Sequence, residues 1–66
     1  MEFKDRLREL RISRNLSQMQ LAKELHLSQS AVAKWELGKT EPSSSAIISI
    51  AKFFDETTDC ILGLTD

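Results

Sequence analysis

Gln29, Ser30 and Lys34 place an amide, a hydroxyl and an ammonium group within one short stretch of chain. An amide donates and accepts hydrogen bonds at once, which suits the N6 and N7 edge of adenine. A lysine ammonium only donates, and so favours the O6 and N7 acceptors of guanine or a nearby phosphate. A serine hydroxyl bonds several bases and discriminates less. Lys34 lies one turn beyond Ser30, so on a helix the two share a face. Catalytic chemistry has no comparable footing. The sole His, His26, and the sole Cys, Cys60, fall on different elements, and no carboxylate pair is arranged for acid–base work. No nucleophile, base and orienter come together, and the chain is read as a non-enzyme. One Cys makes neither an internal disulfide nor a zinc site, so no metal or cofactor is expected.

Those three groups can read a partner only if a rigid element presents them. Ser17 and Gln20 form an S-x-x-Q capping box, with Leu16 and Leu21 placed as its hydrophobic staple, so a helix starts at Gln18. Leu21, Ala22 and Leu25 recur on one face. Ser28 then caps a second helix from Gln29, which Gly38 stops. His26 and Leu27 are left between them. Two helices so close in sequence cross steeply, a geometry that holds the second in the DNA major groove. Their shared core is assigned to Leu21, Leu25, Leu27, Val32 and Trp35, with Ala22 small where the helices approach most closely. Trp35 is placed in that core, three residues from Val32, rather than against bases. Gln18 sits at a helix N-terminus, where free N–H groups and the dipole attract phosphate, and Arg14 or Asn15 reach the backbone beside it. The plainer alternative is an αα-hairpin of a small bundle.

Three more helices complete an all-α architecture of five. Phe3, Leu7 and Leu10 mark the inner face of a first helix of about Glu2 to Arg14, with Ile12 on its outer side and Asn15 as terminator. Ser43 caps a fourth whose Ile47, Ile50, Ala51 and Phe54 point inward, interrupted at Asp55 and Glu56. Thr57 caps a short fifth carrying Ile61 and Leu62, ended by Gly63.

The chain resembles the lambda-repressor-like, Cro-type helix-turn-helix family, also called the Xre-type family of phage and bacterial regulators. S-Q-x-x-L-A at Ser17 to Ala22, S-x-x-x-V-x-K-W-E at Ser28 to Glu36, G-K-x-x-P at Gly38 to Pro42, I-A-K-F-F at Ile50 to Phe54 and T-D-C-I-L-G at Thr58 to Gly63 carry the likeness, over nearly the whole chain. The resemblance implies that Gln29, Ser30 and Lys34 face base edges, and that Lys39 and Thr40 contact the opposite phosphate backbone. It also implies a largely buried ion pair of Arg11 with Glu36, a structural rather than a functional feature. Relatives often dimerise through the last helices, which nominates Thr57, Thr58, Cys60, Ile61 and Leu64 as an interface. Cys60 stands where many relatives carry an aromatic residue and is read as a part-buried, inert thiol; a reactive thiol or an intersubunit bridge are the alternatives. His26 takes the left-handed turn position where the family usually has Gly, at a cost of ~1 kcal/mol.

Size and charge bound the reading. At 66 residues the chain builds one core and one domain, residues 1–66. No apolar run approaches the ~20 residues of a membrane span, and the charged N-terminus lacks a signal-peptide core, so a cytoplasmic location and no membrane partner are expected. The net charge of −1 does not advertise nucleic-acid binding. Its distribution does: residues 1–40 hold eight Lys and Arg against five Asp and Glu, or +3, and residues 41–66 one against five, or −4. The positive half contains the two-helix motif. With the resemblance, these features lead to the expectation of a sequence-specific double-stranded DNA-binding regulator, a repressor of phage or bacterial type. It acts as a homodimer, at least on DNA, on a pseudo-palindromic site, with no small-molecule effector apparent. A protein-interaction module of a regulatory complex is the alternative from another class.

Overall fold

Local side-chain signals decide where four of the five helices begin. The computed structural model describes residues 1–65, with α1 at Phe3–Ser13, α2 at Gln18–Glu24, α3 at Gln29–Glu36, α4 at Ser44–Phe54 and α5 at Thr58–Ile61. No strand forms among the described residues. Ser17 Oγ accepts the Gln20 N–H at 3.0 Å while Gln20 Oε1 accepts the Ser17 N–H at 2.8 Å, closing the reciprocal box that opens α2. The hydroxyls of Ser28, Ser43 and Thr57 accept from the N–H groups of Ala31, Ala46 and Cys60. Each bond satisfies a donor the helix leaves free, worth ~1 kcal/mol. The start of α1, at Glu2, has no side-chain cap.

All five helix ends use one device. Asn15, His26, Gly38, Asp55 and Gly63 have φ between 55° and 77°. After each, the next N–H turns back to the carbonyl five residues earlier: Leu16 to Arg11, Leu27 to Ala22, Lys39 to Lys34, Glu56 to Ala51 and Leu64 to Asp59. Glycine enters this region freely, while Asn, Asp and His are found there more often than other residues but still carry a steric cost that glycine does not. His26→Gly should therefore raise stability by about 0.5–1 kcal/mol, the balance of ~1–2 kcal/mol of strain relieved against ~0.5–1 kcal/mol of added chain entropy. A thermal melt reads this directly. An unchanged midpoint would mean that the His26 side chain makes compensating contacts.

Packing joins two helix pairs through the first helix. α2 lies on α3, α4 on α5, and α1 touches both α3 and α5. Leu7, Leu21, Val32, Ile50 and Ile61 are fully buried, with Ala22, Trp35, Ala51 and Phe54 beside them. Phe3 meets the Trp35 ring edge-on, centroids 6.2 Å apart, so Trp35 is a core residue as its spacing predicts. Phe3, Leu10, Leu16, Leu25 and Ile47 pack against this cluster from half-buried positions, and Ile12 faces out.

Leu27 departs from its expected place. It is 40% exposed and does not join the α2–α3 core. The left-handed turn at His26 reverses the chain there, and Leu27 instead lines a shallow recess with Leu25 and the first turns of α4. The two ends of the described chain also meet. Arg6 Nη2 donates to the Thr65 carbonyl at 3.0 Å, and any side chain at Gly63 would overlap the Met1 carbonyl.

Candidate nucleic-acid interface

The sequence of α3 divides cleanly by face. Val32 and Trp35 turn inward, which leaves Gln29, Ser30 and Lys34 exposed together. Ser30 Oγ lies 3.2 Å from Ser28 Oγ, the hydroxyl that caps the helix. Beyond α3, Lys39 and Thr40 are exposed in the loop that leads to α4, where a backbone contact would need them.

Beneath this face sits a bidentate ion pair. Arg11 Nε donates to Glu36 Oε2 at 2.7 Å and Arg11 Nη2 to Glu36 Oε1 at 2.9 Å, tying α1 to α3. The third nitrogen, Nη1, donates to the Leu16 carbonyl at 2.8 Å, so the guanidinium also fixes the entry to α2. The Glu36 side chain is only 5% exposed. Its hydrogen bond raises the Arg11 pKa above the ordinary arginine value, against a smaller opposing effect of burial. The pairing expected between α1 and α3 is thus present.

Gln18 reaches this pair as well. Its Nε2 donates to Glu36 Oε1 at 3.2 Å, and its Oε1 accepts from Gln29 Nε2 at 3.0 Å. Gln18, Gln29, Glu36 and Arg11 thus form one continuous chain of hydrogen bonds. Sequence spacing gave no signal for it, since its members are 11 to 25 residues apart and each contact needs the folded α1–α2–α3 arrangement. Arg14 is engaged elsewhere: its guanidinium lies over the Phe54 ring, 5.4 Å from the centroid, and Nη2 donates to the Phe54 carbonyl at 3.0 Å. It neutralises the C-terminal end of α4. Asn15, beside it, is exposed in the left-handed turn.

A family model described as helix-turn-helix matches residues 7–59, which contain Arg11, Gln18, Gln29, Ser30, Lys34 and Glu36. The chain belongs to the Xre-type, lambda-repressor-like helix-turn-helix family. Among relatives of this helix-turn-helix protein, the HTH-type transcriptional activator BcrR of Enterococcus faecalis is 45% identical over 62 residues, 94% of this chain and 30% of that protein. Among solved structures, the P22 c2 repressor in complex with a synthetic operator superposes with a TM-score of 0.87 at 26% identity, covering 94% of both chains. The restriction-modification controller protein C.AhdI of Aeromonas hydrophila gives 0.82 at 36% identity, covering 89% of both. The chain spans about a third to a half of the length of the first curated relatives it matches.

Of the residues nominated for self-association in this helix-turn-helix chain, one is ruled out. Ile61 is fully buried under α1 and α4 and has no surface to offer a partner. Its place on α5 is internal because the helix is only four residues long and must bury something to stay attached. Thr57 spends its hydroxyl on the α5 cap. Thr58 and Leu64 remain exposed, Leu64 at 71%. Cys60 is half-buried, and burial together with the nearby Glu56 carboxylate pushes its thiol above the ordinary cysteine pKa, which disfavours the reactive thiolate. No helix among the described residues is long and apolar enough to cross a membrane.

Proposed function

We propose that this chain is a sequence-specific, double-stranded DNA-binding transcriptional regulator that lays α3 in the major groove. One observation carries the reading: α3 exposes Gln29, Ser30 and Lys34 on one face while it is tied to α1 by the largely buried Arg11–Glu36 pair and to α2 by Gln18. Gln29 reads adenine, Lys34 reads guanine or an adjacent phosphate, and Ser30 adds a less selective contact. Gln18, Asn15, Lys39 and Thr40 hold phosphates on either side, and Arg14 contributes there only if it leaves Phe54.

The solved relative bound to an operator supports the DNA partner, and the alternative of a protein-interaction module is not favoured. The chain works as a single domain in the cytoplasm and represses by occupying promoter DNA. The activator name of the Enterococcus relative belongs to a protein of which the match spans 30%. With few basic side chains near α3, one copy neutralises few phosphates and binds random duplex weakly. Two copies on a pseudo-palindromic site, half-sites ~34 Å apart, double the contacts, with Thr58, Cys60 and Leu64 as the self-association surface.

Selection of sites from a random DNA pool tests all of this together. Symmetric enriched sites are expected. On the selected site, Gln29→Ala and Lys34→Ala should each cost ~1–3 kcal/mol and relax preference at one base pair. Lys39→Ala should weaken every duplex alike and lower the salt slope by ~1. Equal losses on selected and random duplexes for all three variants would overturn the base-reading assignment.

A further inference from the structure

We infer that Glu36 is a specificity-positioning residue: through Gln18, its buried carboxylate sets which way round the Gln29 amide faces a base. This rests on the proposed reading that Gln29 meets a base edge. An amide side chain is nearly symmetric in shape, so packing alone does not distinguish its oxygen from its nitrogen. A carboxylate removes the ambiguity, because it accepts and never donates. Glu36 Oε1 lies 3.2 Å from Gln18, which must therefore turn its NH2 group toward it. That leaves Gln18 Oε1 facing Gln29, 3.0 Å away, and Gln29 must in turn offer an N–H.

Each step follows from the one before, and the first is firmly held. Arg11 grips both Glu36 oxygens, at 2.7 and 2.9 Å, with the carboxylate almost wholly out of solvent. The relay consumes one N–H of Gln29. What remains is one acceptor and one donor in fixed order, complementary to the donor and acceptor of adenine and mismatched to the paired acceptors of guanine. Gln29 is exposed and would otherwise sample both amide orientations in water. The ion pair thereby has a role beyond joining α1 to α3: it is the fixed end from which the polarity of the reading group is propagated.

The test uses the full chain and four duplexes that carry the selected site with each base pair in turn at the position Gln29→Ala identifies. Wild-type protein should prefer one of the four by about tenfold or more. Gln18→Met removes the relay, keeps Arg11–Glu36 and hence the fold, and should cut that preference to about threefold or less. Preferences at the positions read by Ser30 and Lys34 should stay as they are. Arg11→Met/Glu36→Gln, in which the residue at 36 can present either end of an amide to Gln18, should relax the same position. A uniform loss on all four duplexes, as a phosphate contact at Gln18 alone would give, overturns the inference and leaves the proposed function standing. Wild-type protein without preference at any position overturns both.

Discussion

Replacing Glu36 with alanine should cost about 3–5 kcal/mol of folding stability, more than any change on the exposed face of α3. The magnitude comes from what is left behind. Arg11 is 14% exposed at its side chain and would keep the Leu16 carbonyl as its remaining partner, with a full positive charge held out of water. Gln18 would lose its acceptor at the same moment. Domains of ordinary size have ~5–15 kcal/mol in total, and one of 66 residues sits low in that range, so the variant should be extensively unfolded near body temperature. Urea unfolding followed by circular dichroism measures it. The double change Arg11→Met/Glu36→Gln should recover part of the loss, because it removes the charge that the single variant leaves unpaired. A Glu36→Ala midpoint within ~0.5 kcal/mol of wild type would show that water reaches Arg11 and that the pair is not what joins α1 to α3.

How far such features can be read from sequence depends on the range of the interaction. The caps at Ser17, Ser28, Ser43 and Thr57 involve groups three residues apart, so residue types in order suffice to place them. Asn15 is legible as a terminator from its residue type, whereas the left-handed turn at His26 follows from the family resemblance. Trp35 follows its helical spacing into the core. Leu27 does not, because helical periodicity says nothing about direction once the chain has reversed at His26. Ile61 is nominated for a partner because relatives often dimerise through their last helices, yet α5 has one inner face and Ile61 fills it. Arg14 could be counted as a free cation until Phe54, 40 residues later, was brought beneath it.

Function was legible in the same graded way. The exposed trio on α3 follows from local periodicity alone. The contact of Gln18 with both Gln29 and Glu36 does not, and it widens what the ion pair can do: a pair that a linear reading assigns to stability also connects, through Gln18, to the residue proposed to read a base. On the proposed reading, stability and specificity share one set of hydrogen bonds, so a variant that weakens the pair without unfolding the chain should lose selectivity before it loses affinity.

The orientation of α3 should be equally sensitive to volume at a residue that contacts no DNA. Ala22 is 1% exposed on α2, in the core cluster with Val32 and Trp35, and α3 is the element α2 packs against most closely. Helices approach to within 8–10 Å according to the side chains between them. A leucine at 22 would have to be accommodated by moving the helices apart, since Ala22 is itself buried among the fully buried Leu21 and Val32. Overpacking of this kind costs ~1–3 kcal/mol, and the upper end is expected because the backbone itself resists the shift. The Ser17 box holds the start of α2, and the Leu27 N–H bonds the Ala22 carbonyl at 2.8 Å. Any movement that does occur carries Gln29 away from Gln18 and tilts all three reading groups together. Ala22→Leu should therefore lose ~2–3 kcal/mol in a melt. At temperatures where it stays folded, it should bind the selected site little better than random duplex. A folded variant with wild-type selectivity would mean that α3 is positioned by Arg11–Glu36 and the α1 contact alone, with the α2–α3 spacing free to vary.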